Sequence, residues 1–253
     1  MRLVLSLVLF LLSAPAGAFD LNDLKAKIND LSQQTASNGN SSQASGLAQF
    51  TEREQIESLR QALSQGAETA VSNLARENGY LGNDKVRIPL PDNLQKADST
   101  MRRLGLGKYS DELVTSMNRA AEAAVPEAKA LLLTAVKNMT VTDAKNILLG
   151  KDDAATQYFR RNTETALGEK FKPVVSQSMQ KVSLAQAYER FAGKGVKLGL
   201  IDASDADLED YITRKALDGL FYMMAEQEKE IRAHPVQAVG DLAKKVFSAV
   251  RGQ

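Results

Sequence analysis

The chain has no cysteine, no tryptophan and a single histidine among its 253 residues, and only 6% of it is aromatic. Each shortage closes a class of chemistry. Without cysteine there is no disulfide, no thiol nucleophile and no thiolate ligand for a metal. One imidazole, His234, cannot build a His-rich metal site or serve most catalytic triads. Without tryptophan, the broad aromatic platforms on which sugars commonly stack are missing. A surplus of charge is missing too: 32 Lys and Arg stand against 31 Asp and Glu. No net field draws polyanions, the Arg102-Arg103 and Arg160-Arg161 pairs are isolated, and nucleic acid is not an expected partner. Strand-like alternation is nearly absent, so no strand precedes Gly193-Lys194-Gly195 as a phosphate loop would require.

The one long apolar run is N-terminal. Arg2 precedes Leu3 to Leu12, which is broken only by Ser6, and Ala16-Gly17-Ala18 follows as a small-x-small pattern. Crossing a bilayer takes roughly 20 apolar residues, and this run stops at Pro15 and Gly17. Residues 1–18 therefore read as a secretory signal peptide cleaved near Ala18, with a mature start at Phe19. No transmembrane segment is expected in the mature chain, and its location is expected to be periplasmic or secreted. Losing Arg2 also brings the mature chain to exact charge balance, and an exported chain without cysteine must be held by its core alone.

Residues 19–31 place Leu21, Leu24, Ile28 and Leu31 on one side of a short amphipathic helix. Residues 32–46 contain only Ser, Gln, Thr, Ala, Asn and Gly, with no charge and nothing large to bury, and read as a disordered linker. Residues 47–253 should form a single all-α domain of about eight to ten helices. Thr51 and Glu54 form a capping box, and Ile56, Leu59, Leu63, Ala67, Ala70, Val71 and Leu74 mark a helix that stops at Asn78-Gly79. Tyr80 to Pro91 reads as an extended strap, or at most an edge strand, because its prolines and β-branched residues have no second strand to pair with. Helices follow over 93–104, 110–125, 126–139 and 142–149. Another, capped by Asp152 and Asp153, runs to about Leu167. Pro173 is expected to open the next, and the Gly193-Gly195 turn to end it. Ser204 and Asp207 form a second capping box at the head of the longest helix, about Asp205 to Ala233, and a last helix runs to about Val250.

Several strings occur in order along this domain: Met117-Asn118-Arg119-Ala120-Ala121-Glu122; Met139-Thr140 with Asp143-Ala144 and Ile147-Leu148; Ala154-Ala155-Thr156 with Tyr158-Phe159; and Lys215 to Phe221 with Ile231-Arg232 and Pro235. Together they resemble a bacterial family of exported helical proteins catalogued only as a domain of unknown function, over about Leu59 to Val250. The resemblance implies an exported all-helical protein and no assigned activity.

The candidate binding residues are Asn118, Arg119, Glu122, Asp143, Tyr158, Phe221 and Met224. Asn118, Arg119 and Glu122 lie in an Ala-rich stretch where helices approach closely, and form either a site or, as the favoured reading, an interhelical tie with Arg119 held by a neighbour such as Asp143. Leu217, Leu220, Phe221, Met224 and Ile231 line one side of the long helix, widened by Ile212, Gly219, Tyr222 and Met223. They mark a core helix or, alternatively, the wall of an apolar pocket with adaptable methionines. Asp152, Asp153 and Thr156 read as a helix cap, and the acids of 202–210 lack the glycine of a calcium loop. Glu226, Glu228, Lys229, Glu230 and Arg232 read as a solvated charged end, and the His234 imidazole as satisfying a last carbonyl. No catalytic residue, metal or cofactor is expected. The expectation is a non-enzymatic protein that binds an apolar small molecule or an envelope partner protein. The alternative is a cell-wall glycan-cleaving enzyme working through carboxylates alone, with Glu122 as its first candidate acid.

Overall fold

Eight α-helices and one 3-10 turn make up the described part of the computed structural model, which comprises residues 50–181, 184–200, 208–234, 244–246 and 248. All belong to one unit, residues 43–253, and no described residue lies in a strand. The leader, the amphipathic segment, the linker, the Ser204–Asp207 box and most of the last expected helix fall outside the described residues.

The first helix, α1 (Glu52–Ala75), starts on the expected box: Glu54 N–H donates to Thr51 Oγ1, and Thr51 N–H donates back to Glu54 Oε2 at 2.8 Å. It buries Leu59, Ala62, Leu63, Ala67, Ala70, Val71 and Leu74. The helix ends at Ala75, before the Asn78-Gly79 stop, and Asn78 carries the left-handed backbone (φ 64°) that turns the chain. The strap follows over 76–91 and departs from the expected extended form: residues 77–82 and 84–86 close into turns, with Gly82 N–H donating to Asn78 C=O and Arg87 N–H to Asn83 C=O, and only 87–91 form a run free of turns. Then come α2 (Asp92–Arg103), α3 (Gly107–Ala124), a 3-10 turn at Val125–Glu127, α4 (Ala128–Asn138) and α5 (Val141–Leu148). A second capping box, Thr140 with Asp143, opens α5.

Two expected breaks are absent. Pro173 lies inside α6 (Ala154–Lys181), because Leu167, Phe171 and Val175, all fully buried, hold both sides of the proline in one core-facing element. Packing of that face outweighs the lost hydrogen bond and the local clash. At 28 residues α6 is also longer than the 26 described residues of the last long helix. Gly193 and Gly195 likewise sit inside α7 (Leu184–Lys197), which is fixed by buried Ala187 and Phe191. The chain leaves α7 at Gly199 (φ 68°), where Leu200 N–H donates to Gly195 C=O.

The last long helix, α8 (Leu208–Ala233), packs on α6, α1 and α3, and α6 packs on α3 and α4. Side chains from distant helices close the helix ends. Glu228 accepts from Ala155 N–H and Thr156 N–H at the head of α6, Arg232 donates to Ile147 C=O at the tail of α5, and Arg60 donates to Lys137 and Met139 C=O at the tail of α4. The signs follow the helix dipole: an acid at an N-terminus and cations at C-termini.

The strap lies against α8 through one close approach. The Tyr80 ring is fully buried, its hydroxyl donates to Ala216 C=O at 2.7 Å, and it rests on Gly219. A Cβ at Gly219 would come within 2.6 Å of Tyr80 Cε1 and 3.3 Å of Val86 Cβ. Helix propensity alone would favour alanine there by about 1 kcal/mol. Gly219→Ala is nevertheless expected to destabilise by about 1–3 kcal/mol through overpacking against an anchored ring. Chemical denaturation checks the sign: a gain in stability would show that the strap is not seated on α8.

Candidate functional site

Helix α3 sets Asn118 and Glu122 four residues apart, on the face that meets the strap. Ala120, Ala121 and Ala124 are fully buried and leave room for close approach. Asn118 is itself fully buried. Its Oδ1 accepts from Ile88 N–H at 2.8 Å, and its Nδ2 donates to Ile88 C=O at 2.9 Å and to Val114 C=O at 2.8 Å. One side-chain amide thereby gives the strap the paired donor and acceptor that a neighbouring strand would supply. Tyr211 adds a further tie by donating its hydroxyl to Pro89 C=O.

Glu122, 5% exposed, holds the other end of the strap. Its Oε1 accepts from Tyr80 N–H at 3.1 Å and Leu81 N–H at 3.2 Å, while Arg119 Nη1 donates to its Oε2 at 2.5 Å. Arg119 also donates from Nη2 to Glu77 and to Asn78 Oδ1. Burial, and after it the Glu122 charge, holds the Tyr80 phenol well above its ordinary pKa.

The expected partnership of Arg119 with Asp143 is not formed. Asp143 belongs to the α5 capping box, where the Thr140 hydroxyl and then the Thr140 N–H lower its pKa, and the acids of Arg119 are Glu122 and Glu77. The side chain of Arg119 remains 25% exposed. Arg119→Ala would therefore leave Glu122 with two backbone donors and is expected to cost about 2 kcal/mol, between an exposed and a fully buried pair. A thermal melt that overlays the wild type would contradict this.

The other candidates lie elsewhere. Tyr158 is buried and donates to Ala135 C=O; burial raises its pKa, and the Asp143 charge adds to that. Phe221, 1% exposed, lies under the Arg160 guanidinium, 4.6 Å from its ring centre. Met224 borders a void of about 20 Å³ with Phe159, Gly66, Glu228 and Ile231. That is room for about one water molecule and not for an acyl chain.

The expected solvated end of α8 is corrected most. Glu228 is 8% exposed, and besides the two amides of α6 it accepts from Thr156 Oγ1 at 3.0 Å and Arg232 Nη2 at 2.9 Å. Glu228 thus takes the capping role expected of Asp152 and Asp153. His234 also differs from expectation: its imidazole pairs with the Glu230 carboxylate at 2.8 Å. Among the described residues no group of three or more His, Asp or Glu is placed to hold a metal ion.

On its outer side the strap forms two hollows that meet at Lys85. One, about 480 Å³, is bordered by Arg76, Asn78, Asn83, Asp84, Lys85 and Met223. The other, about 210 Å³, lies between residues 85–89 and α8. No curated protein and no solved structure matches the chain. A family model matches residues 49–248, nearly all of the helical domain, and the chain belongs to that family, described as Protein of unknown function (DUF4197).

Proposed function

We propose that this is an exported, non-enzymatic interaction protein that presents the outer face of the strap and α8 to a partner protein. The observation that carries the reading is the occupation of the candidate cluster. Asn118 and Glu122 face inward and hold the strap, while the void beside Met224 is about 20 Å³. A filled interior supports recognition at the surface over enclosure of an apolar ligand. Glycan cleavage is less well supported, because both oxygens of Glu122 already accept hydrogen bonds inside the fold and it is 5% exposed. Export rests on the Arg2, Leu3–Leu12 and Ala16-Gly17-Ala18 pattern. Among the described residues no helix is long and apolar enough to cross a membrane.

Three measurements on protein from its own host test this. Fractionation and N-terminal sequencing should find the chain outside the inner membrane, starting at Phe19. Native mass spectrometry should give the bare polypeptide mass with no gain on lipid challenge. Purified peptidoglycan should stay turbid. A reproducible lipid adduct would overturn the partner reading, and clearing that is lost in Glu122→Gln would establish the enzyme instead.

A further inference from the structure

We propose that the hollow between residues 85–89 and α8 is a docking site for an acidic, carboxylate-rich peptide segment of a partner protein. The inference rests on the interaction reading above and names the chemistry of the partner. Val86, Ile88, Pro89, Gly219 and Tyr222 form the walls, and Lys85, Arg87, Lys215 and Asp218 line the same hollow. Gly219 brings no side chain and Val86 and Ile88 are buried, so polar and apolar atoms share the inner surface of the hollow. Tyr222, 38% exposed, adds an aromatic face with Lys85 Nζ 5.8 Å from its ring centre.

Cations outnumber acids in this lining, with Lys85, Arg87 and Lys215 against Asp218. Over the chain cations and acids nearly cancel, so a local excess does not follow from composition. Two of the nearby acids have charged partners: Asp218 lies 3.6 Å from Arg160, which Glu164 holds at 2.8 Å, and Glu226 lies 2.8 Å from Lys85. Asp84 borders the neighbouring hollow, and Asp92 accepts from Gln95. Among the described residues, Arg87, Arg214 and Lys215 make no ion pair with a carboxylate; Arg214 and Lys215 each lie 5.9 Å from the ring centre of Tyr211. A guanidinium and an ammonium beside the exposed Tyr222 ring suit a chain that offers carboxylates alternating with apolar side chains.

Size and backbone bonding narrow the mode of recognition. About 210 Å³ is below the usual range of a small-molecule pocket, but accommodates side chains of a segment passing over it. The strap cannot add a strand at Ile88, because Asn118 takes both its N–H and its C=O, and Pro89 has no N–H to offer. Recognition therefore falls to side chains, with affinity that weakens as salt rises.

The test is fluorescence anisotropy on the full chain, with a short labelled peptide alternating Glu and Leu around one Phe and a counterpart carrying Gln for Glu. The acidic peptide should bind and the neutral one should not. Arg87→Glu and Lys215→Glu should each weaken binding by about tenfold or more, while Arg103→Glu, the same charge change on α2, should alter it less than about twofold. Circular dichroism melts confirm that all three variants fold. Absence of binding at millimolar peptide, or equal losses in Arg103→Glu, would overturn the proposal. Binding only to phosphatidylglycerol vesicles would assign the face to a membrane surface, and equal competition by citrate or phosphate to a free anion; either would replace the peptide. A negative peptide result with a bare native mass would remove this inference and leave the interaction reading standing, whereas a lipid adduct would remove that reading itself.

Discussion

Replacing Glu228 by alanine is expected to cost about 3–5 kcal/mol and to lower the melting temperature by on the order of 10 °C. The carboxylate serves two helices at once. It accepts from Ala155 N–H at 2.9 Å, Thr156 N–H at 2.9 Å and Thr156 Oγ1 at 3.0 Å, so its loss strands the first amides of α6 in a buried setting. Each buried donor left without an acceptor costs about 1–3 kcal/mol. It also leaves Arg232, whose side chain is only 13% exposed, with Ile147 C=O in place of a charge partner. Glu228→Gln keeps an acceptor for the α6 amides and should lose roughly half as much. The double variant Glu228→Ala, Arg232→Ala should cost less than the sum of the singles, since removing both charges removes the uncompensated one. Equilibrium urea unfolding of the four proteins completes the cycle. A loss below about 1 kcal/mol for Glu228→Ala would mean that water replaces the carboxylate at the α6 terminus.

The position of Glu228 is legible in the sequence, although its role is not. Leu217, Phe221, Met224, Glu228 and Ile231 recur at steps of four, three, four and three, so Glu228 stands within the buried stripe. Its neighbours Glu226, Lys229 and Glu230 give the segment the composition of a solvated end, and composition hid the periodicity. The same competition explains Pro173 and the Gly193-Gly195 pair. These are strong local breakers, but Leu167, Phe171 and Val175 flank the first and Phe191 precedes the second, all fully buried. Burial of an entire helix face outweighs one missing hydrogen bond or two flexible residues, and only the assembled fold shows which faces are buried. The Thr51–Glu54 box is legible from local chemistry alone, whereas the equally local Thr140–Asp143 box is obscured by the competing assignment of Asp143 to Arg119.

The family strings have a physical reading in the same terms. Asn118 and Glu122 hold the strap, Thr140 and Asp143 cap α5, and Ala155 and Thr156 receive Glu228. Tyr158 ties α6 to α4, Phe221 lies under Arg160, and Arg232 closes α5. These are residues by which the helices are joined, so a resemblance carried by them identifies the fold and is silent on chemistry. Arg87 of the outer hollow illustrates the converse. Arg87 lies outside every one of those strings, and nothing in its local sequence distinguishes it from any other surface arginine. Its position opposite Lys215 follows from the return of the chain between residues 87 and 215, a relation carried by topology alone.

The strap itself can be tested at its buried end. Glu122→Ala is expected to destabilise by about 3–5 kcal/mol, because Tyr80 N–H and Leu81 N–H lose their common acceptor and Arg119 loses its closest acid. Arg119 softens the loss to some degree, since it keeps Glu77, which is 79% exposed, and Asn78. Glu122→Gln retains an oxygen for the two amides but turns an amide nitrogen toward Arg119 or toward the strap; an intermediate loss of about 1–2 kcal/mol is expected. The ratio of the two variants separates structure from catalysis. A structural tie scales with lost hydrogen bonds, so Ala must cost more than Gln, and hydrogen exchange should quicken first at Tyr80 and Leu81. A proton-donating acid would lose its activity equally in both and leave the melt of Glu122→Gln unmoved. Stability curves for both variants that overlay the wild type would show that Glu122 does not hold the strap, and would return it to the front of the search for chemistry.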